Sequence, residues 1–219
     1  MAKKHVDSQD FQEFATGVNA MKSLPSTRRY NITICHEKAF VWFRVAKVCT
    51  RTILNHFKQH ELPLNPIQAF NIYYPIHQYE NSFKFAFVRN PWDRLVSCWA
   101  DKVVKKNYFS LQDNVYGKVI EFEGFVEYIS ELNLNTCDIH LRLQSHLIDL
   151  NHLDYLGRFE TFSDDFGVVC DHLSIPFEGL VHKNKSDRTK YTDFYDSRLR
   201  SKVEKMYEKD IRMFGYSFE

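Results

Sequence analysis

The sequence predicts a three-layer α/β domain with a central parallel sheet flanked by helices. Three observations carry this expectation. Short β-branched and aromatic runs alternate with amphipathic segments of helical period. The run "FKFAFVR" (83–89) is apolar almost throughout, as expected of a strand covered on both faces. No repeat, low-complexity tract or linker interrupts the alternation. The 219 residues therefore read as one domain over 29–219, preceded by a polar segment over 1–28.

The elements follow in order. "YNITIC" (30–35) and "AFVWFRV" (39–45) are strand-like, rich in β-branched and aromatic residues. From about Thr50 the spacing becomes helical, with Ile53, Leu54 and Phe57 on one face. The segment 61–80 holds Pro63, Pro66 and Pro75 and reads as loop. After strand 83–89 a helix is well signalled: Asn90 suits the N-cap, Pro91 the first helical position, and Asp93 the positive dipole end. Leu95, Val96, Trp99 and Val103 form its apolar stripe. A helix at 122–132, a strand at 153–160 and a helix at 163–173 come next. The final helix spans roughly 196–210, with Leu199, Val203, Met206 and Tyr207 on one side. Segments 61–80, 105–120 and 133–152 are left as variable loops, where substrate contacts are expected.

Charge is balanced, 29 Lys and Arg against 28 Asp and Glu. This excludes a general polyanion binder, so nucleic acid is not an expected partner and any anion site must be a local cluster. Five cysteines at wide spacings, without CxxC or Cys/His metal spacing, indicate free thiols in a reducing compartment and no metal centre. The N-terminus "MAKKHVDSQDFQEF" has no apolar core, and no run approaches the roughly 18–20 apolar residues of a membrane span. A cytoplasmic protein without a membrane span is expected. The 19 Phe and 12 Tyr, and the methionines, are read as core, with some aromatics free to stack on a base or sugar ring.

Two strand-to-helix corners concentrate cations and hydroxyls. In "FVWFRVAKVCTRTIL" (40–54) a strand ends at Arg44, a tight loop follows, and a helix starts near Thr50. A loop feeding a helix N-terminus exposes unpaired N–H groups and the positive dipole end, which suits a phosphate-type anion. Lys47 adds a point charge, and Thr50, Arg51 and Thr52 add donors. "FVRNPWDRLVSCW" (87–99) repeats the architecture. Arg89 sits at the strand end, where its fork can grip a phosphate, and Ser97 two turns into the helix can donate a hydroxyl bond. Arg94 lies three residues before Ser97 on nearly the same face. Taken singly, each corner is equally an ordinary helix cap beside a surface cation. Taken together, they suit a ligand with two separated anionic groups.

These motifs resemble the sulfotransferases that use 3′-phosphoadenosine 5′-phosphosulfate (PAPS). "RVAKVCTRTI" resembles their 5′-phosphosulfate loop. "FVRNPWDRLVSCW" resembles their 3′-phosphate motif, including the step from Arg89 to Ser97. The branch (sulfotransferase family 2) is the one holding Golgi carbohydrate sulfotransferases and soluble bacterial relatives. "HLRLQSHL" (140–147), "YLGRFETFSDDF" (155–166), "HKNKSD" (182–187) and "YEKDIRMFGY" (207–216) fit it in order, so the resemblance spans roughly 38–216. It implies a P-loop NTPase-like fold and an enzyme moving a sulfuryl group from PAPS, without a metal, to a hydroxyl of a carbohydrate or glycoconjugate. By resemblance, Arg44, Lys47, Val48, Cys49, Thr50, Arg51 and Thr52 would hold the 5′-phosphosulfate, with Lys47 offsetting charge on the leaving oxygen. Arg89 and Ser97 would hold the 3′-phosphate, and Arg188 is a late nucleotide contact. The chain departs from the pattern at Arg51, where relatives often carry a small or hydroxyl residue. A Golgi location is not carried over, because no anchor is seen.

A hydroxyl acceptor needs a general base. His77, in the loop before strand 83–89, and His140, opening "HLRLQ", are the candidates. Glu160 and His36 are weighed as well, against the ordinary alternative of structural hydrogen bonding. Two other readings stay open: a P-loop-like nucleotide kinase, although "RVAKVCT" lacks the glycines of G-x-x-x-x-G-K-[ST], and a non-catalytic nucleotide-binding scaffold. The acceptor and the oligomeric state are not readable.

Overall fold

The computed structural model describes residues 26, 28–60, 67–179 and 190–219. Most of the polar segment over 1–28, and Arg188, lie outside the described residues.

Among the described residues, five strands form one sheet in the order β3-β1-β2-β4-β5. They are β1 (Tyr30–Cys35), β2 (Phe40–Phe43), β3 (Ile67–Ile72), β4 (Phe83–Val88) and β5 (Tyr155–Arg158). The sheet is mixed, which corrects the expectation of a parallel one. β2, β4 and β5 run parallel, but β1 is antiparallel to both β2 and β3. The reason is chain length. Residues 36–39 link β1 to β2, far too few for the crossover that parallel neighbours require. Ala39 completes this hairpin in a left-handed conformation (φ 49°).

β3 was hidden in the segment read as loop. It lies between Pro66 and Pro75 and occupies the sheet edge, where flanking prolines cost no ladder bond. Its register with β1 shifts between Tyr30 and Ile32, a bulge that places Asn31 at the irregularity. Bulges re-aim side chains near the ends of strands.

The helices are α1 (Thr50–Gln59), α2 (Pro91–Trp99), α3 (Asp113–Val119), α4 (Phe122–Ser130), α5 (Phe162–His172), α6 (Ser197–Met206) and α7 (Glu208–Phe214). The start of α2 follows its sequence signals: Asn90 Oδ1 accepts from the Trp92 N–H at 3.1 Å, with Pro91 next and Asp93 in the first turn. Beyond Trp99 the helix widens into a π-turn, Ala100–Val104. The expected final helix is broken at Tyr207, whose φ of −108° is not helical, into α6 and α7; α7 ends on left-handed Gly215.

Two buried clusters hold the molecule. In the first, Phe40, Trp42, Phe85 and Phe87 of the sheet pack against Phe57 of α1 and Phe166 of α5. In the second, Trp92 and Val96 of α2 meet Phe125 and Ile129 of α4 and Val203 of α6. The aromatic excess is largely core, as expected. Among the methionines, Met206 packs on the second cluster while Met213 is half exposed. α2 anchors the helical cluster while its N-terminus abuts β4, and this fixes the β4–α2 corner beside the β2–α1 corner.

Candidate active site

The two corners open on one cavity of about 430 Å³, a size typical of small-ligand sites. Its wall includes Arg44 and residues 46–52 from the first corner, and Arg89 and Ser97 from the second. Lys47, Val48, Cys49, Thr50, Arg51, Thr52, Arg44, Arg89, Ser97 and His140 are thus brought together. His77 is not. It lies exposed in a 3₁₀ turn (Ile76–Tyr79), with Nδ1 2.9 Å from Glu80, and does not line the cavity.

The first loop makes its cradle without glycine. Lys47 (φ 70°) and Cys49 (φ 47°) are left-handed, and Val48 between them is not. Alternating signs of φ turn successive N–H groups toward one point, the geometry of an anion-binding nest. Each left-handed non-glycine residue costs roughly 1–2 kcal/mol, so the loop needs fastening. Val48 is 2% exposed and anchors it in the core. Arg94 donates from Nε to the Ala46 carbonyl (3.1 Å) and from its Nη atoms to Arg142 (3.0 Å) and Ile139 (3.0 Å). Arg89 Nη1 donates to the Lys47 carbonyl at 3.1 Å. Arg94 is therefore a buried brace for the loop and not part of the cavity wall. α1 begins immediately beyond Cys49, so its N-terminus points at the same space. Burial pushes the Cys49 thiol up to about 12, despite the nearby Arg89, so it is no nucleophile at neutral pH.

Lys47 Nζ is 2.9 Å from Asp101 Oδ2, and Lys102 Nζ is 3.6 Å from the same oxygen. Burial pulls the Lys47 ammonium below its ordinary value, against the pull of Asp101. Burial likewise raises Asp101, but its bond to Lys47 and the surrounding cations win and hold it at about 2. Lys47 and Asp101 thus form a salt bridge on the cavity wall.

Arg89 is 5% exposed and tightly aimed. Nε donates to Asp93 Oδ2 at 2.8 Å, Nη2 lies 2.7 Å from the same oxygen, and the guanidinium sits 3.9 Å from the Phe159 ring centre. With Nη1 bonded to Lys47, three of its five N–H groups are used by described residues, and two remain for a ligand. Its main chain is clamped too. The Arg89 N–H donates to Gln144 Oε1 (3.0 Å), and Gln144 Nε2 donates to the Arg89 carbonyl (2.8 Å). Fully buried Asp210 of α7 accepts from the N–H groups of Gln144 (2.6 Å) and Ser145 (3.0 Å). The "HLRLQ" segment and the C-terminal helix thus place Arg89 from behind.

His140 stands on the wall beside Lys102. Its Nδ1 is 2.7 Å from Asp138 Oδ1, so the carboxylate fixes the tautomer with the proton on Nδ1 and the basic lone pair on Nε2. Burial holds the imidazole below its ordinary 6.5, against the raising effect of Asp138. It is neutral at pH 7 and able to take a proton. Glu160 is structural: it accepts from the Asn90 N–H (2.7 Å) and the Tyr216 hydroxyl (3.0 Å). His36 is exposed in the β1–β2 hairpin.

A family description, "Sulfotransferase family", matches residues 26–217, and this span includes every residue of the cavity wall. The chain belongs to the sulfotransferase family. Three curated proteins similar to the chain follow. Carbohydrate sulfotransferase 9 of Homo sapiens is 28% identical over 71% of the chain and 38% of its own length. Carbohydrate sulfotransferase 10 of Xenopus laevis is 27% identical over 64% of the chain and 49% of its own. Carbohydrate sulfotransferase 11 of Danio rerio is 24% identical over 64% and 49%. The chain spans less than half the length of each of these relatives. No solved structure matches the chain at a significant level.

Sequence reasoning missed seven residues of the cavity wall, among them Asn31, Phe70, Asp101, Lys102 and Phe159. Asp101 was within reach, four residues beyond Ser97 on a helix face, but Lys102 needed the π-turn. Asp138, two residues before His140, was a legible partner for it. Asn31 and Phe70 depended on the edge strand β3, which the prolines masked.

Proposed function

We propose that the chain transfers a sulfuryl group from PAPS to a hydroxyl of a carbohydrate or glycoconjugate. The observation that carries this reading is the convergence of the two anion corners on one cavity, with Lys47 and Arg89 linked through the Lys47 carbonyl. A nucleotide with a phosphosulfate at one end and a 3′-phosphate at the other fits that pair of sites. The relatives' names support the carbohydrate acceptor. The parallel strands β2, β4 and β5 and the nest before α1 support a P-loop NTPase-like reading of the fold.

In this reading the nest, α1 and Thr50–Thr52 hold the phosphosulfate, and Arg89 and Ser97 hold the 3′-phosphate. His140 Nε2 takes the acceptor hydroxyl proton. The acceptor oxygen forms a bond to sulfur while the bond from sulfur to the 5′-phosphate oxygen breaks, and the electron pair goes to that phosphate. The Lys47 ammonium stabilises the charge arriving there, a type of contribution worth about 10²–10³ in rate. Asp101 keeps Lys47 charged and fixed. A cytoplasmic setting belongs to the same proposal: the cysteines form no disulfide among the described residues, which suits a reducing compartment.

The test is transfer of radiolabelled sulfate from PAPS to a panel of sugar, phenol and lipid acceptors, with Lys47→Ala in parallel. Transfer to sugars that Lys47→Ala loses supports the reading. Stabilisation of the fold by ATP–Mg²⁺ and not by 3′-phosphoadenosine 5′-phosphate (PAP), with no sulfate moved, would refute it.

A further inference from the structure

Asn90, the residue after Arg89, is held by a segment far away in the chain. Asn90 is buried, and every one of its polar groups is engaged. Its Oδ1 caps α2, and its carbonyl accepts from the Arg94 N–H at 2.8 Å. Its two donors lead elsewhere. Nδ2 donates to the Ser217 carbonyl at 2.8 Å, 127 positions along the chain. The Asn90 N–H donates to Glu160 Oε1 at 2.7 Å, and Glu160 Oε2 accepts from the Tyr216 hydroxyl at 3.0 Å. Residues 216 and 217 therefore grip Asn90 from two sides, once directly and once through Glu160.

Phe218 pins that segment down. Its ring centre lies 5.5 Å from Trp92, 5.5 Å from Tyr191 and 5.4 Å from Tyr195, each pair edge to face. The Arg200 guanidinium sits 4.9 Å from the same ring. Such aromatic pairs contribute about 0.5–1.5 kcal/mol each beyond the area they bury. Trp92 belongs to the first turn of α2, and the Tyr195 hydroxyl donates to its carbonyl at 3.0 Å. The Tyr216 ring packs under the Arg158 guanidinium at 4.7 Å. Burial, with Glu160 beside it, pushes the Tyr216 phenol far above its ordinary value, so the hydroxyl stays a donor.

Three successive backbone groups are thus fixed by side chains. Gln144 holds the N–H and the carbonyl of Arg89, and Glu160 holds the N–H of Asn90. Phe159, the neighbour of Glu160, lies over the Arg89 guanidinium. A ligand-binding side chain keeps its aim only while the groups behind it are held. None of Asn90, Glu160, Tyr216, Ser217 and Phe218 lines the cavity, so their influence on a ligand passes through Arg89.

We propose that Tyr216, Ser217 and Phe218 form a strap that positions Arg89 for the 3′-phosphate. This rests on the sulfotransferase reading above. The strap touches no ligand and sets only the orientation of the β4–α2 corner. Its loss should therefore be felt by a nucleotide that carries the 3′-phosphate and not by one that lacks it.

The test titrates PAP and 5′-AMP, the latter without a 3′-phosphate, into the wild type, Phe218→Ala, Phe218→Leu and Tyr216→Phe by calorimetry. Phe218→Ala should weaken PAP about tenfold, as displacement of a positioned group does, and leave 5′-AMP within about twofold. Phe218→Leu, which refills much of the aromatic box, should recover most of the loss. Tyr216→Phe removes a single hydroxyl and keeps the ring over Arg158; it should weaken PAP about fivefold, near the value of one hydrogen bond. It keeps the proposal testable should Phe218→Ala fold poorly. In an Arg89→Met background, Phe218→Ala should weaken PAP no further, because the strap acts through that guanidinium. Equal weakening of both nucleotides, or a Phe218→Ala effect that persists without Arg89, would overturn the positioning role, even if melting temperatures fell. So would variants that separate PAP from 5′-AMP as well as the wild type does. A wild type that does not distinguish PAP from 5′-AMP would refute the donor reading itself, and the strap's role with it.

Discussion

Arg89 offers a quantitative test of the 3′-phosphate assignment. Two of its five N–H groups remain beyond Asp93 and the Lys47 carbonyl. A charge-assisted hydrogen bond contributes roughly 1.5–3 kcal/mol. Two such bonds, discounted for water that replaces them in the variant, give a coupling of about 3 kcal/mol between guanidinium and phosphate. That is about 10²-fold in affinity. The assay is a thermodynamic cycle, with wild type and Arg89→Met each titrated calorimetrically with PAP and with 5′-AMP, which lacks the 3′-phosphate. Arg89→Met should weaken PAP about 10²-fold more than it weakens 5′-AMP. The substitution also removes the bond to the Lys47 carbonyl, so some general loss is expected, and the cycle subtracts it. Equal weakening of both nucleotides, a coupling under about 0.5 kcal/mol, would refute the assignment and leave Arg89 as a brace for the loop.

Three further predictions follow from geometry. His140→Asn should reduce sulfuryl transfer by about 10²–10⁴ at neutral pH. In the wild type the rate should fall as the pH drops through a value below the ordinary histidine 6.5, because the buried imidazole must be neutral to accept a proton; a pH–rate profile unchanged by His140→Asn would remove it as the base. Gln144→Leu leaves the buried Arg89 N–H and carbonyl unsatisfied, a loss of roughly 2–5 kcal/mol by urea unfolding, and an unmoved midpoint would contradict the clamp. Gly157→Ala puts a Cβ 2.4 Å from the Phe87 ring, which is 1% exposed and wedged against Phe162. It should cost about 1–3 kcal/mol, read as a lowered melting temperature.

The sequence revealed what local chemistry determines. Asn90, Pro91 and Asp93 marked the start of α2 because cap, φ restriction and dipole act within a few residues. Residues of both corners were legible because a strand end and a helix start are adjacent in the chain. What stayed hidden depended on distant partners. Arg94 could be placed only on the face of Ser97, since nothing near it in sequence says that its guanidinium would be consumed by the carbonyls of residues 46, 139 and 142. His77 and His140 were indistinguishable by type, and only the folded chain puts His140 on the cavity wall and leaves His77 in an exposed turn. β1 turned out antiparallel because four hairpin residues outweighed the α/β alternation of the rest. β3 was obscured because prolines that exclude a central strand are harmless at an edge.

The glycine-free nest has a consequence for how the protein meets its ligand. A cradle of glycines would roam widely before closing on an anion, and capture would surrender that freedom. Here the side chains of Lys47, Val48 and Cys49 already narrow the available shapes, and Val48 is moored in the interior. Nucleotide capture should therefore carry a small ordering penalty in calorimetry. Replacing Cys49 with glycine should leave the contacts intact while making the entropy of binding less favourable.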